Sequence, residues 1–183
     1  MIRICLVKVG AVDSAVLTDV GRALERVLSC EVVESRRSLD PRFAFDSGRG
    51  QYWSTSLLDG LEAMRTDDID RILGIAEVDL FIPIFTFVFG EALLNRPPAL
   101  ISLHRLRPSF YGLPDDPERT LERARREAVH ELGHTFGLVH CLDYACVMHA
   151  SRTADEIDLK GPGFCDECSA LLSGATNGIR PLP

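Results

Sequence analysis

The chain has 183 residues, 46% of them hydrophobic and 26% charged, a composition that fits one soluble globular domain able to bury a substantial core. Its net charge of −7 argues against nucleic acid or an anionic membrane as the main partner, since either demands concentrated Lys and Arg. Asp79, Pro83, Thr86 and Glu91 break the most apolar stretch, and Lys8 and Asp13 spoil the opening run as a signal peptide. A cytoplasmic protein is therefore expected, in which six cysteines read as metal ligands or buried thiols before disulfides.

Residues 2–9 (IRICLVKV) suit a buried strand, and Asp13 or Ser14 can cap a helix whose Val16, Val20, Ala23, Leu24, Val27 and Leu28 recur at helical spacing. A short strand follows at 31–34, then a polar loop over 36–50. Strand then helix at the start of the chain opens an α/β layer fold. Cys5 and Cys30 have no partner pattern and read as buried free thiols. Ser54 or Ser56 can start a helix carrying Leu57, Leu58, Leu61 and Met64, and Thr66 with Asp67 and Asp68 can open another through Ile72 and Leu73. Three strand-like runs come next: 78–85 (VDLFIPIF), 87–94 (FVFGEALL) and 99–106 (ALISLHRL), the last two placed as antiparallel neighbours by their close spacing. A strand over 87–94 at the sheet edge could bind an extended peptide as an added strand, or simply end the sheet.

Asp115 to Glu118 has capping-box spacing, with Pro117 tolerated in the first turn, so a long helix is expected to start there and dock through Leu121, Ala124, Ala128 and Leu132, with Glu122 and Arg126 paired outside. On its last turns lies HELGHTFGLVH, residues 130–140. His130 and His134 are four apart and leave the same helix face, so two imidazoles can share one metal ion. Glu131 projects roughly 100° away, where it can reach a metal-bound water without ligating the metal. Gly137 can take a left-handed helix-ending conformation that turns His140 back as a third ligand. A lone H-E-x-x-H arises by chance in roughly one chain of this size in a hundred, but the added glycine and histidine at fixed offsets make chance a poor account.

Cys141, Cys146, Cys165 and Cys168 form two pairs that suit a closed tetrahedral zinc site. A redox pair at Cys165 and Cys168 competes, but it lacks the βαβ context and leaves two cysteines over. Residues 173–183 read as a mobile tail.

The pattern His130-Glu131-x-x-His134-x-x-Gly137-x-x-His140 followed by Met148 resembles the metzincin clan of zinc peptidases. With Cys141, Cys146, Cys165 and Cys168 beyond it, and the stretches RGQYWSTSLLDGL, VDLFIPIFTFVFGEALL and ALISL before it, the chain resembles the archaemetzincins over most of its length. The spacing from Met148 to Cys165 is slightly shorter than the family pattern, a difference that a loop absorbs.

The resemblance implies two Zn2+ ions per chain: a catalytic one on His130, His134 and His140, and a structural one on Cys141, Cys146, Cys165 and Cys168. Glu131 becomes the general base, Met148 the methionine of the turn beneath the metal, and 87–94 the substrate-lining edge strand. His104 and His149 match no ligand position. The expected fold is α/β of the α+β zincin-like kind: a small, mixed, twisted sheet with an antiparallel edge strand packed on helices, a long active-site helix and a zinc-stapled C-terminal subdomain. One catalytic domain would span 1–183, with the sheet-and-helix part at 1–137, the methionine turn and cysteine segment at 138–172, and the tail beyond.

Three neutral imidazoles leave zinc its +2 charge and an open position, where a bound water has its pKa lowered toward ~7. Glu131 would take that proton during attack on a peptide carbonyl and deliver it to the leaving amine. The expected function is therefore zinc-dependent peptide hydrolysis. Two other readings stand beside it: a zinc-holding binding module of the same fold with little or no activity, and a thiol redox protein.

Overall fold

The structure is a computed structural model and describes residues 1–177. A five-stranded sheet is built from β1 (Arg3–Val9), β2 (Glu31–Glu34), β5 (Arg71–Ala76), β7 (Gly90–Ala92) and β8 (Pro98–Ser102), in the order β2-β1-β5-β8-β7. The first four strands are parallel and β7 runs antiparallel to β8 at the edge. β3 (Phe45–Asp46), β4 (Gln51–Trp53) and β6 (Leu80–Phe81) form a second, three-stranded sheet.

Alternate side chains along each central strand enter different layers, as the strand period of two requires. Ile4, Leu6, Leu73, Ile75, Ala99 and Ile101 join the core formed with α1 (Ser14–Leu28) and α3 (Pro117–Thr135). Val7, Val9, Ile72 and Leu100 pack with Leu57, Leu58 and Leu61 of α2 (Ser54–Glu62) on the other face. Truncating one of these fully buried leucines to alanine removes both transfer energy and packing, at a cost of about 2–5 kcal/mol.

The helix expected from Thr66 through Leu73 is instead a turn followed by β5, with Ile69 N–H bonded to Thr66 C=O. Residues 71–76 lie between β1 and β8 and five of the six are buried, so pairing on both edges and burial on both faces override the local helix signal. The run at 78–85 keeps only Leu80–Phe81 as strand, because Pro83 has no N–H for a ladder. The runs at 87–94 and 99–106 shorten to β7 and to β8. They are antiparallel partners as expected, Glu91 opposite Leu100. The loop at 36–50 contains a short 3-10 turn at Pro41–Ala44 and the strand β3.

The N-cap of α3 is Asp116, one residue later than the expected box, and its carboxylate accepts the Arg119 N–H at 3.0 Å. Glu122 and Arg126 do pair along the helix, at 3.7 Å. Two short helices follow, α4 (Ala154–Leu159) and α5 (Asp166–Asn177). The tail expected from Ser173 thus begins inside α5, and residues 178–183 lie outside those described. Cys30 is buried, and burial pushes its thiol up to about 11, whereas Cys5 is half-buried. No helix among the described residues is long and apolar enough to cross a membrane.

Candidate metal centres

Helix α3 is held rigidly before it reaches the site. Ala124, Ala128, Val129 and Leu132 are buried in the core, and the Arg123 guanidinium binds Leu106 C=O and Asp158. At the other end the Arg71 guanidinium donates to Thr135 Oγ1 and lies over the Phe136 ring. Anchoring of this kind matters because metal ligands must be placed to within fractions of an ångström.

His130 and His134 leave one face of α3, and Nε2 of one is 3.1 Å from Nε2 of the other. Gly137 has φ 92°, the left-handed conformation that turns the chain, and His140 returns with its ring centroid 5.3 Å from that of His130 and 5.0 Å from that of His134. One ligand atom from each imidazole lies within 4.8 Å of the others. The donors are also correctly oriented. His130 Nδ1–H donates to Val147 C=O at 2.8 Å and His134 Nδ1–H to Leu138 C=O at 2.7 Å, which leaves each Nε2 lone pair for a metal. These residues fit a zinc ion, whose ordinary donors include neutral imidazole nitrogens.

Burial, and secondarily the Lys160 charge, holds His130 well below the ordinary histidine range. His134 and His140 are lowered too, again chiefly by burial. In the metal-free protein the folded imidazoles therefore refuse protons that the unfolded chain accepts below about 6.5. Their contribution to stability is present above that range and is lost as pH falls through it. Glu131, whose carboxyl is shifted upward, acts in the opposite sense, so the histidine contribution is read in a Glu131→Gln background. Urea melts of chelator-treated Glu131→Gln protein should show lower stability at about pH 5.5 than at neutrality, and a flat profile would show that the three imidazoles titrate alike folded and unfolded.

Glu131 is buried beside the histidines, and burial together with the neighbouring Glu127 pushes its carboxyl well above the usual carboxylate range. It packs against β7 at Gly90, where a Cβ would sit 2.7 Å from Glu131 Cγ and Oε1 and 2.7 Å from Leu100 C=O. Only glycine leaves that space. Gly90 carried a readable signal, since glycine inside a strand marks close approach, but the sequence does not name what approaches. Were Glu131 the base that the resemblance implies, Gly90→Ala would keep its metal and lose most turnover because the carboxylate is displaced. Metal content and kcat measured together check this, and full activity would show that Glu131 tolerates the shift.

Met148 is fully buried beneath the helix, where a Cβ at Gly133 would collide with its sulfur. β7 is tied to α2 by Glu91, whose carboxylate accepts hydrogen bonds from Ser54 Oγ and Thr55 Oγ1 at a helix N-terminus that lacks a side-chain cap of its own. After β7, Asn95 N–H bonds His134 C=O, and the Asn95 side chain fills the space a Cβ at Gly137 would need.

The four cysteine sulfurs also converge, one ligand atom from each lying within 4.8 Å of the rest. Cys141 Sγ is 3.8 Å from Cys165 Sγ, and the backbone N–H groups of Asp143 and Cys165 donate to Cys141 Sγ and Cys146 Sγ at 3.4 and 3.3 Å. Such donors favour the thiolate form that zinc requires, and the tetrad fits a structural zinc. The backbone N–H of Cys168 holds the Cys165 thiol below its ordinary range, whereas burial pushes Cys168 up. Outside these clusters, the His104 ring packs on Phe110, the exposed Tyr144 ring lies tilted against His149, and His149 Nδ1–H donates to Cys141 C=O at 2.9 Å.

Fold and family together define a zinc metallopeptidase, a hydrolase acting on peptides. The chain belongs to peptidase family M54, the archaemetzincins, whose model matches residues 15–174. It is similar to the archaemetzincin of Methanocaldococcus jannaschii, 40% identical over 174 residues that cover 94% of this chain and 93% of that one. Among solved structures it is similar to archaemetzincin from Methanopyrus kandleri, with a TM-score of 0.85, 38% identity and 96% of each chain covered. A zinc-dependent peptidase from Methanocorpusculum labreanum gives a TM-score of 0.84 at 32% identity, covering 92% of this chain and 99% of that one.

Proposed function

We propose that His130, His134 and His140 hold the catalytic zinc, that Glu131 shuttles the proton, and that Cys141, Cys146, Cys165 and Cys168 hold a second, structural zinc. The observation that carries this reading is the convergence of three imidazoles, two with Nδ1 committed to carbonyls, beside a buried carboxylate. When bound, the catalytic zinc supplies Lewis acidity, polarising a peptide carbonyl and making a water easier to deprotonate. Glu131 takes the proton from that water at its carboxylate as the water oxygen attacks the carbonyl carbon. The same carboxyl then gives that proton to the amine nitrogen as it leaves. Gly90 and α3 keep the carboxylate aimed at the site.

The substrate is read as an extended peptide laid along 87–94. β7 ends the sheet, and Gly90–Ala92 have no second strand partner among the described residues, Val88 just before them being bridged to Leu80. Main-chain pairing there would place a carbonyl next to Glu131, because Gly90 of the same strand touches that residue. The chain acts as one catalytic domain, with 1–137 carrying the helix and 138–172 the turn and cysteine segment. A reducing, cytoplasmic setting is consistent with four thiols left free for metal.

Metal content tests the two-site reading. Wild type should hold two zincs per chain and His140→Ala should fall toward one, with peptide-library cleavage lost in parallel. A wild type with one zinc that His140→Ala retains would overturn it.

A further inference from the structure

A buried ion pair lies behind the metal ligands. The side chains of Lys160 and Glu127 are 1% and 5% exposed, and Lys160 Nζ is 3.1 Å from Glu127 Oε1. Burying two charges costs several kcal/mol each before their attraction is counted, so such a pair is weak grounds for inferring a stabilising role. Its second bond is more informative, because Lys160 Nζ also donates to His149 C=O at 3.1 Å.

That carbonyl is the last of three in a row, and each is held by a different element. Val147 C=O accepts from the His130 ring, Met148 C=O from the Cys141 N–H at 3.0 Å, and His149 C=O from Lys160. The first bond ties the turn to a proposed metal ligand on α3. The second ties it to the residue after His140. The third returns to α3 through Glu127, one helical turn before Glu131 and three residues before His130. Lys160 is delivered from the end of α4, which docks through buried Ala154 and Ile157 and through the bond from Arg123 to Asp158. The next residue is fixed as well, Gly161 N–H donating to Ala145 C=O.

We infer that Lys160 is a positioning residue: with Glu127 it braces the Met148 turn against the active-site helix and so holds His140 where it can share a metal with His130 and His134. The inference rests on the metal reading above. A buried cation is needed because the brace must satisfy a carboxylate on one element and a carbonyl on another, and an ammonium has three donors and no acceptor.

Cobalt(II) titration tests it, because a four-thiolate site gives intense sulfur-to-metal charge-transfer bands and a three-histidine site gives only weak visible ones. Lys160→Met should lower cobalt affinity at the histidine site by about 10–100-fold, the usual effect of removing groups that orient ligands, and leave the thiolate bands unchanged. That variant strands the Glu127 charge, so the Glu127→Met, Lys160→Met double variant is made too. It should melt near the wild type, yet keep the weakened histidine site, and in metal-free protein its Cys141 amide should exchange faster. Wild-type affinity at the histidine site together with wild-type Cys141 protection in the double variant would overturn the brace. A wild type with no thiolate-free cobalt site would overturn the metal reading itself and the brace with it.

Discussion

Glu131→Gln should bind zinc as the wild type does and lose about 10²–10⁴-fold in kcat, the range that a positioned general acid-base supplies. Glutamine has nearly the shape of glutamate, so it still fits the slot left by Gly90 and does not disturb α3. It cannot accept a proton from water at neutral pH. The substitution therefore removes the proton transfer and keeps the packing, which Gly90→Ala does not. Equal metal content with lost turnover identifies Glu131 as the base. Turnover close to the wild type in a zinc-replete Glu131→Gln sample would move that role to another group.

Removing one thiolate should weaken a metal site that the thiolate does not touch. In Cys165→Ser the histidine site is expected to bind zinc about 10–100-fold less tightly, the usual range for losing a group that orients ligands. The reason is covalent: His140, the proposed third ligand, is bonded directly to Cys141 of the tetrad. Cys141 is also held by its N–H to Met148 C=O and its C=O to the His149 ring. Those bonds, braced by Lys160, hold Cys141 from one side, and a metal on the tetrad, a site type worth roughly 10–16 kcal/mol, holds it from the other. Losing that metal should therefore loosen Cys141 and, through it, His140. Chelator competition for the histidine-bound zinc measures the effect, and unchanged affinity would show that the hydrogen bonds alone hold His140.

Much of the site is legible without the structure because its spacing is local. His130, His134 and Glu131 are related by the helix period, and Gly137 by a backbone conformation that glycine adopts most readily. The first strand and helix, and the antiparallel pairing of β7 with β8, were readable for similar reasons of local pattern. Residues 66–73 misled because Asp67, Asp68, Ile72 and Leu73 satisfy a helix template, while two strand neighbours contributed from elsewhere decide the outcome. Pro83, which lacks an N–H, limits the strand within 78–85 to Leu80–Phe81.

By itself the sequence determined the candidate ligand types and their spacing, the acid placed beside them, the adjacency of His140 to Cys141, and through these the family. Tertiary structure alone decided that Gly90 makes room for Glu131, that Asn95 closes on Gly137, and that Lys160 reaches both Glu127 and His149. The physical reason is range. Helix period, glycine conformation and peptide bonds are set within a few residues, whereas close packing and a buried ion pair depend on which distant segments the folded sheet brings together.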